Sequence, residues 1–118
     1  MHYMCLIYDD EDVWNGLPED ERNALYGEYT SFTESIREGG QYVQADQLQP
    51  ISTATTVRVR DGKMSTTDGP FAETKEQLGG FYLITANDLD EALKVASKIP
   101  SARIGSVEVR PVVDFSQA

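Results

Sequence analysis

The sequence predicts a single α+β domain, and three observations carry that reading. Short segments that are apolar or alternate with period two recur along the 118 residues. Two longer segments carry apolar residues at helical spacing, and a tight Asp61-Gly62 turn joins two alternating runs. A chain of this length buries one core, and no repeat, low-complexity tract or linker divides it. The domain is therefore expected to run over residues 1–118.

The first strand is expected from His2 to Tyr8. Tyr3, Cys5 and Ile7 take one side and Met4, Leu6 and Tyr8 the other, so the strand is apolar on both faces and belongs inside a sheet. Asp9-Asp10-Glu11-Asp12 reads as an exposed loop, followed by Trp14 and a turn at Asn15-Gly16. A helix opens at Pro18, a residue suited to the first helical position, and Glu19, Asp20 and Glu21 complement its positive N-terminus. Leu25, Tyr29, Phe32 and Ile36 form its buried stripe, and Gly39-Gly40 ends it. A more polar second strand, Gln41 to Leu48, belongs nearer an edge.

Thr55 to Arg60 and Lys63 to Thr67 form a hairpin about Asp61-Gly62, with Arg58 and Arg60 on one face and Val57 and Val59 on the other. Asp68 to Gly79 is a long connection. Gly80 to Ala86 is a strand apolar on both faces, with Phe81 and Leu83 opposite Tyr82 and Ile84. Asp88 caps a second helix with Glu91 as its capping-box partner, Leu89, Ala92, Leu93 and Ala96 are its expected stripe, and Pro100 stops it. The last strand spans Ile104 to Val113, with Val107 and Val109 against Glu108 and Arg110. The order strand, helix, strand, hairpin, strand, helix, strand predicts a ferredoxin-like domain of βαββ type with an added hairpin.

Composition excludes several function classes. With 20 acidic against 10 basic side chains the net charge is −10, and no Lys/Arg cluster offsets it, so nucleic acid and anionic membranes are not expected partners. The apolar start is too short for a membrane span and lacks a basic leader, which predicts a cytoplasmic protein. Cys5 is the lone cysteine and His2 the lone histidine. A zinc site or a Ser-His-Asp triad would need that terminal histidine, so no metal and no cofactor is expected. Asp9 to Asp12 lack the glycine and spacing of an EF-hand, so a solvated loop is the expected reading there.

A homodimer follows from the sheet. Two helices cover one face of it, yet at least two strands are apolar on both faces. The uncovered face would be an apolar patch that soluble monomers rarely tolerate, and packing it on a copy about a two-fold axis removes it.

The run Asp68-Gly69-Pro70-Phe71-Ala72-Glu73-Thr74-Lys75-Glu76, read with Gly105-Ser106-Val107-Glu108-Val109-Arg110-Pro111, resembles the DGPF branch of the YCII-related proteins. The resemblance extends from Tyr3 to Pro111. It implies a ferredoxin-like protomer forming a dimeric α/β-barrel, and a link to extracytoplasmic-function sigma factors in some members. It does not imply a particular activity. In many wider YCII-related proteins the first helix carries a pocket-lining histidine about eleven residues before its terminal glycine. That position here is Tyr29, whose ordinary pKa of about 10 blocks transfer of histidine chemistry.

The candidate functional segment is the Asp68–Gly80 loop, longer than an ordinary connection. Asp68, Glu73, Lys75 and Glu76 offer polar groups there, although a turn at Asp68-Gly69-Pro70 and a core plug at Phe71 are the plain alternatives. Arg58, Arg60 and Arg110 offer guanidiniums that clamp a carboxylate, or that pair internally in so acidic a chain. Tyr8, Tyr29 and Tyr82 offer phenols, or are core residues with a hydroxyl at an edge. The ligand-binding candidates are Asp68, Glu73, Lys75, Tyr29, Arg58 and Tyr82; no catalytic residue is assigned. The leading expectation is a homodimeric small-molecule-binding domain with a pocket between sheet and helices, gated by the 68–80 loop. A cofactor-independent isomerase, lyase or oxygenase acting on a small polar organic substrate is the alternative. It requires Asp68, Glu73 and Lys75 to converge. A regulatory partner of a sigma factor is the third reading.

Overall fold

The computed structural model describes residues 1–117, so Ala118, the last residue of the expected domain, lies outside the described residues. The elements are β1 (His2–Asp9), α1 (Glu11–Gly16), α2 (Glu19–Glu38), β2 (Tyr42–Gln47), β3 (Thr55–Arg60), β4 (Lys63–Asp68), β5 (Gln77–Thr85), α3 (Leu89–Ala96) and β6 (Ser106–Pro111). Single 3-10 turns occupy Ile51–Thr53, Pro100–Arg103 and Phe115–Gln117.

Four strands make an antiparallel sheet in the order β2-β5-β1-β6, and β3 pairs with β4 in a separate two-stranded sheet. With the hairpin set aside, the sheet strands lie in the order fourth, first, third, second. Helices connect them, α1 and α2 between β1 and β2 and α3 between β5 and β6, an arrangement compatible with a ferredoxin-like α+β fold. β1 occupies the interior position its two apolar faces require, and β2 lies at an edge.

Pairing of Tyr3 with Ile84 and Cys5 with Tyr82 sets the buried face. Phe32 and Ile36 of α2, Ala92, Val95 and Ala96 of α3, and Ile99 pack onto it. Burial pushes the Cys5 thiol up to about 11, as expected of a core cysteine. Met4 opposite Leu83 and Leu6 opposite Phe81 form the reverse face, half-buried and without a helix over it.

Two sequence expectations need correction. Asp9 to Asp12 are not a solvated loop: Asp9 ends β1, and the Asp10 carboxylate accepts the Asp12 N–H at 2.9 Å, capping α1. The α3 stripe is rotated, because Ala92, Val95, Ala96 and Ile99 are buried whereas Leu89 and Leu93 are each 46% exposed. Small Ala92 and Ala96 let this helix lie close to the sheet, and the two leucines are turned outward as the helix settles on that side. The added hairpin forms its own two-stranded sheet and joins no strand of the main one.

Helix starts and stops follow local chemistry. The Asp88 carboxylate accepts the Glu91 N–H at 2.8 Å while Glu91 accepts the Asn87 N–H at 3.0 Å. In the hairpin, Asp61 (φ 53°) and Gly62 (φ 76°) supply the two left-handed residues of a type I′ turn. No helix of the described residues is long and apolar enough to cross a membrane.

Candidate functional site

A cavity of about 590 Å3 opens between α2 and one end of the sheet. Asp9 reaches it by simple alternation: it continues the row Tyr3, Cys5, Ile7, whose side chains face the helices. From α2, Tyr29, Thr33 and Arg37 stand four residues apart along the flank of the Phe32–Ile36 stripe. Tyr42, Ala45 and Gln47 of β2 and Tyr82 of β5 line the sheet side, and Trp14 of α1 lines another. The Glu11 carboxylate accepts the Ile51 N–H at 2.8 Å, tying α1 to the chain that leaves β2. Trp14 packs edge-to-face on Tyr26 with centroids 5.4 Å apart, holding α1 against α2.

Two hydrogen-bonded chains meet here. Ser101, only 1% exposed, donates to Asp9 Oδ2 at 3.3 Å and is bonded to the Tyr29 hydroxyl. With Ser101 spending its proton on the carboxylate, Tyr29 must be the donor to Ser101. In the second chain Thr33 donates to the Tyr29 carbonyl at 2.9 Å, so Tyr82 donates to Thr33 Oγ1 at 2.7 Å. The two phenol rings lie parallel, 3° apart in tilt with centroids separated by 6.5 Å. Arg37 lies 4.1 Å over the Tyr42 ring, a cation held on an aromatic face at the cavity wall.

Asp9 is electrostatically uncomfortable. Its Oδ1 is buried with no hydrogen-bond partner. A Cβ at Gly105 would sit 2.3 Å from the Tyr8 carbonyl and 2.7 Å from this Oδ1, so only glycine permits β1 and the start of β6 to approach so closely. Burial pushes the Asp9 carboxyl above the ordinary carboxylate range; the Ser101 bond pulls it back and the nearby Glu76 carboxylate adds to the rise. Burial likewise raises the Tyr29 and Tyr82 phenols above the ordinary tyrosine value, against the opposing effect of their hydrogen bonds with Ser101 and Thr33.

Of the candidates named from sequence, Tyr29 and Tyr82 line the cavity. Asp68, Glu73 and Lys75 are exposed and do not line it; Arg58 sits in the hairpin, over the Phe71 ring at 5.6 Å. The three polar loop residues therefore do not converge on the cavity. The 68–80 segment borders the cavity through its far end, Gln77 to Gly80; next to it Glu76 accepts the Ser106 hydroxyl at 2.7 Å and its carboxylate lies near enough to act on Asp9. Sequence reading missed Asp9, Thr33, Arg37 and Ser101. Extending the β1 alternation by one step finds Asp9, and the four-residue spacing from Tyr29 finds Thr33 and Arg37; nothing local singles out Ser101. Among the described residues no group of three or more His, Cys, Asp or Glu side chains could hold a metal ion.

The fold and its side cavity thus define an α+β domain, compatible with a ferredoxin-like fold, with a phenol-lined pocket under its long helix. The YCII-related domain matches residues 1–116, and the chain belongs to that family. It is also 40% identical over 114 residues to an uncharacterised protein of Rhizobium meliloti (strain 1021), covering 95% of this chain and 92% of that protein.

Proposed function

We propose that this protein is a homodimeric small-molecule-binding domain whose ligand enters the cavity between α2 and the sheet. The observation that carries the reading is the Asp9–Ser101–Tyr29 chain, a buried carboxylate wired through a buried hydroxyl to a phenol on the cavity wall. Burying a carboxylate with an unpartnered oxygen costs free energy that a fold does not need to spend, and such sites are where binding or proton chemistry concentrates. The volume suits a small organic molecule. Trp14, Tyr42 and Tyr82 offer apolar faces to its body, Arg37 offers a cation to an acceptor group, and Tyr29 reads a polar head.

Trp14 is the sole tryptophan and lines the cavity, so its fluorescence reports occupancy directly. A library of small polar organic acids and hydroxy compounds should contain members that perturb this emission and raise the melting temperature. Tyr29→Phe and Ser101→Ala should weaken those members by roughly tenfold each, the worth of one hydrogen bond to a buried polar group. A library that moves neither signal overturns the proposal.

The enzyme reading that needed the loop residues falls with them; a second one draws on the Asp9–Ser101–Tyr29 chain, in which burial pushes the carboxyl up. A protonated Asp9 donates to Ser101, Ser101 donates to Tyr29, and the Tyr29 proton turns toward the cavity, so the chain can pass a proton to or from a bound molecule. Under this reading Asp9→Asn keeps binding and abolishes turnover, whereas under pure binding there is no turnover to lose.

A further inference from the structure

The cavity carries polar groups at two ends, and the two ends are opposite in kind. At the inner end Ser101 gives its proton to Asp9, Tyr29 gives its own to Ser101, and Tyr82 donates to Thr33 Oγ1. Both phenol oxygens on the cavity wall are therefore left with lone pairs alone, so this end accepts hydrogen bonds and does not donate them. At the other end stands Arg37, the one cationic side chain among the described lining residues. Its guanidinium rests 4.1 Å over the Tyr42 ring and makes no ion pair among the described residues. Nearby carboxylates are already engaged. Glu11 accepts the Ile51 N–H at 2.8 Å, and Asp46 accepts the Gln44 amide at 3.1 Å. In a chain with 20 acidic side chains, an arginine left unmatched beside a cavity keeps a planar fork of five donors for an acceptor from outside.

Tyr29 and Arg37 stand eight residues apart on α2, which separates the two ends by about 12 Å along the helix axis. One hydrogen bond of about 3 Å at each end leaves about 6 Å for the molecule between them. We propose that the cavity takes a small hydroxy acid, with its carboxylate on Arg37 and its hydroxyl donating to the phenol oxygens of Tyr29 and Tyr82. Arg37 is then the residue that sets specificity. The flat walls at Trp14 and Tyr82 suit a single ring as the body of the molecule. The inference rests on the small-molecule reading of this cavity and adds the class of molecule that enters it. Net charge sharpens the assignment: at −10 the body as a whole repels an anion, so recognition of a carboxylate has to come from a local cation.

A matched set of probes tests this on the full chain. It comprises para-hydroxybenzoate, para-hydroxyphenylacetate and para-hydroxyphenylpropanoate, the amide of each, and phenylacetate as the form without the hydroxyl. Titrations are followed by Trp14 emission and by calorimetry. At least one hydroxy acid should bind roughly tenfold or more tightly than its amide, as expected of a charge-assisted pair. Arg37→Gln should cancel or reverse that acid-to-amide ratio, whereas Arg37→Lys should keep its sign and lose part of its size. Tyr29→Phe should bring para-hydroxyphenylacetate toward phenylacetate in affinity while the acid-to-amide ratio stays. Ratios are the decisive readout, because a variant that merely loosens the fold weakens acid and amide alike. Neutral compounds that bind as tightly as the acids or more so, or an acid preference that survives Arg37→Gln, overturn the hydroxy-acid assignment and leave the binding reading standing. A library of acids and neutral compounds that moves neither emission nor heat overturns both.

Discussion

β1 and β3 are both written with alternating side chains, yet they meet opposite fates. In β1 the residues Tyr3, Cys5 and Ile7 vanish under α2 and α3, whereas in β3 the residues Val57 and Val59 stand largely in solvent. Strand formation is the same in both; what differs is whether a helix returns over the face. β1 is followed by α2 and β5 by α3, each connection laying its helix on the same side of the sheet. β3 is followed at once by β4, so the hairpin closes on itself and no helix is available to cover it. Alternation states which side chains share a face, and connectivity decides whether that face is buried.

That contrast is sharpest at Ile84, fully buried at the centre of the core. Ile84→Ala should cost about 2–5 kcal/mol, the range for emptying a packed aliphatic site. Chemical denaturation should show it as a lower midpoint at unchanged slope. A loss under about 1 kcal/mol would mean that the body is packed no better than the hairpin.

Gly105→Ala comes next, since its Cβ would press on the Tyr8 carbonyl and on Asp9 Oδ1. Backbone must shift to admit it, at about 1–3 kcal/mol. The same substitution should displace Asp9 and reduce the Trp14 fluorescence response to any cavity ligand, so one methyl group tests stability and site together.

Asp9→Asn is smaller and has a definite sign. The folded chain holds the Asp9 proton more tightly than the unfolded chain does, because burial raises this carboxyl above 3.8. Its contribution to stability is therefore complete below that value and declines as pH rises through the higher folded-state value. Replacing it with neutral Asn should remove this decline and raise the melting temperature at pH 7 by roughly a few degrees. A melting temperature that falls at pH 7 while the pH dependence is unchanged would show that the charge is comfortable where it sits.

Much of this architecture was legible in the sequence, and what was not has physical causes. The interior place of β1, the Asp61-Gly62 turn, the Asp88 cap and the Phe32–Ile36 stripe each follow from rules that act within a few residues. The rotation of α3 did not, because hydrophobicity favours Leu89 and Leu93 for the core while the closeness of helix to sheet favours Ala92 and Ala96. Tyr29 and Tyr82 were recoverable because both stand on elements with a clear period. Asp9 was hidden by its acidic neighbours: Asp10 caps α1 and Glu11 ties it down, so one run of like residues holds three roles. Ser101 enters the site from a 3-10 turn 92 positions away from Asp9, a proximity only the fold creates. The polar loop residues Asp68, Glu73 and Lys75 drew attention through composition, which says nothing about direction.

The smallest expected effect falls in the hairpin and completes the contrast. Val59→Ala removes two methyl groups that water already reaches, so in dilute protein, below any association, it should change stability by no more than about 0.5 kcal/mol. The same kind of truncation at Ile84 is expected to cost several times more, although both residues sit on strands and face across from an apolar or polar partner in regular register. A Val59→Ala variant that destabilises the dilute chain by 2 kcal/mol or more would mean that the hairpin is packed against its own body. The division into a covered sheet and an uncovered hairpin would then fail at its weaker half.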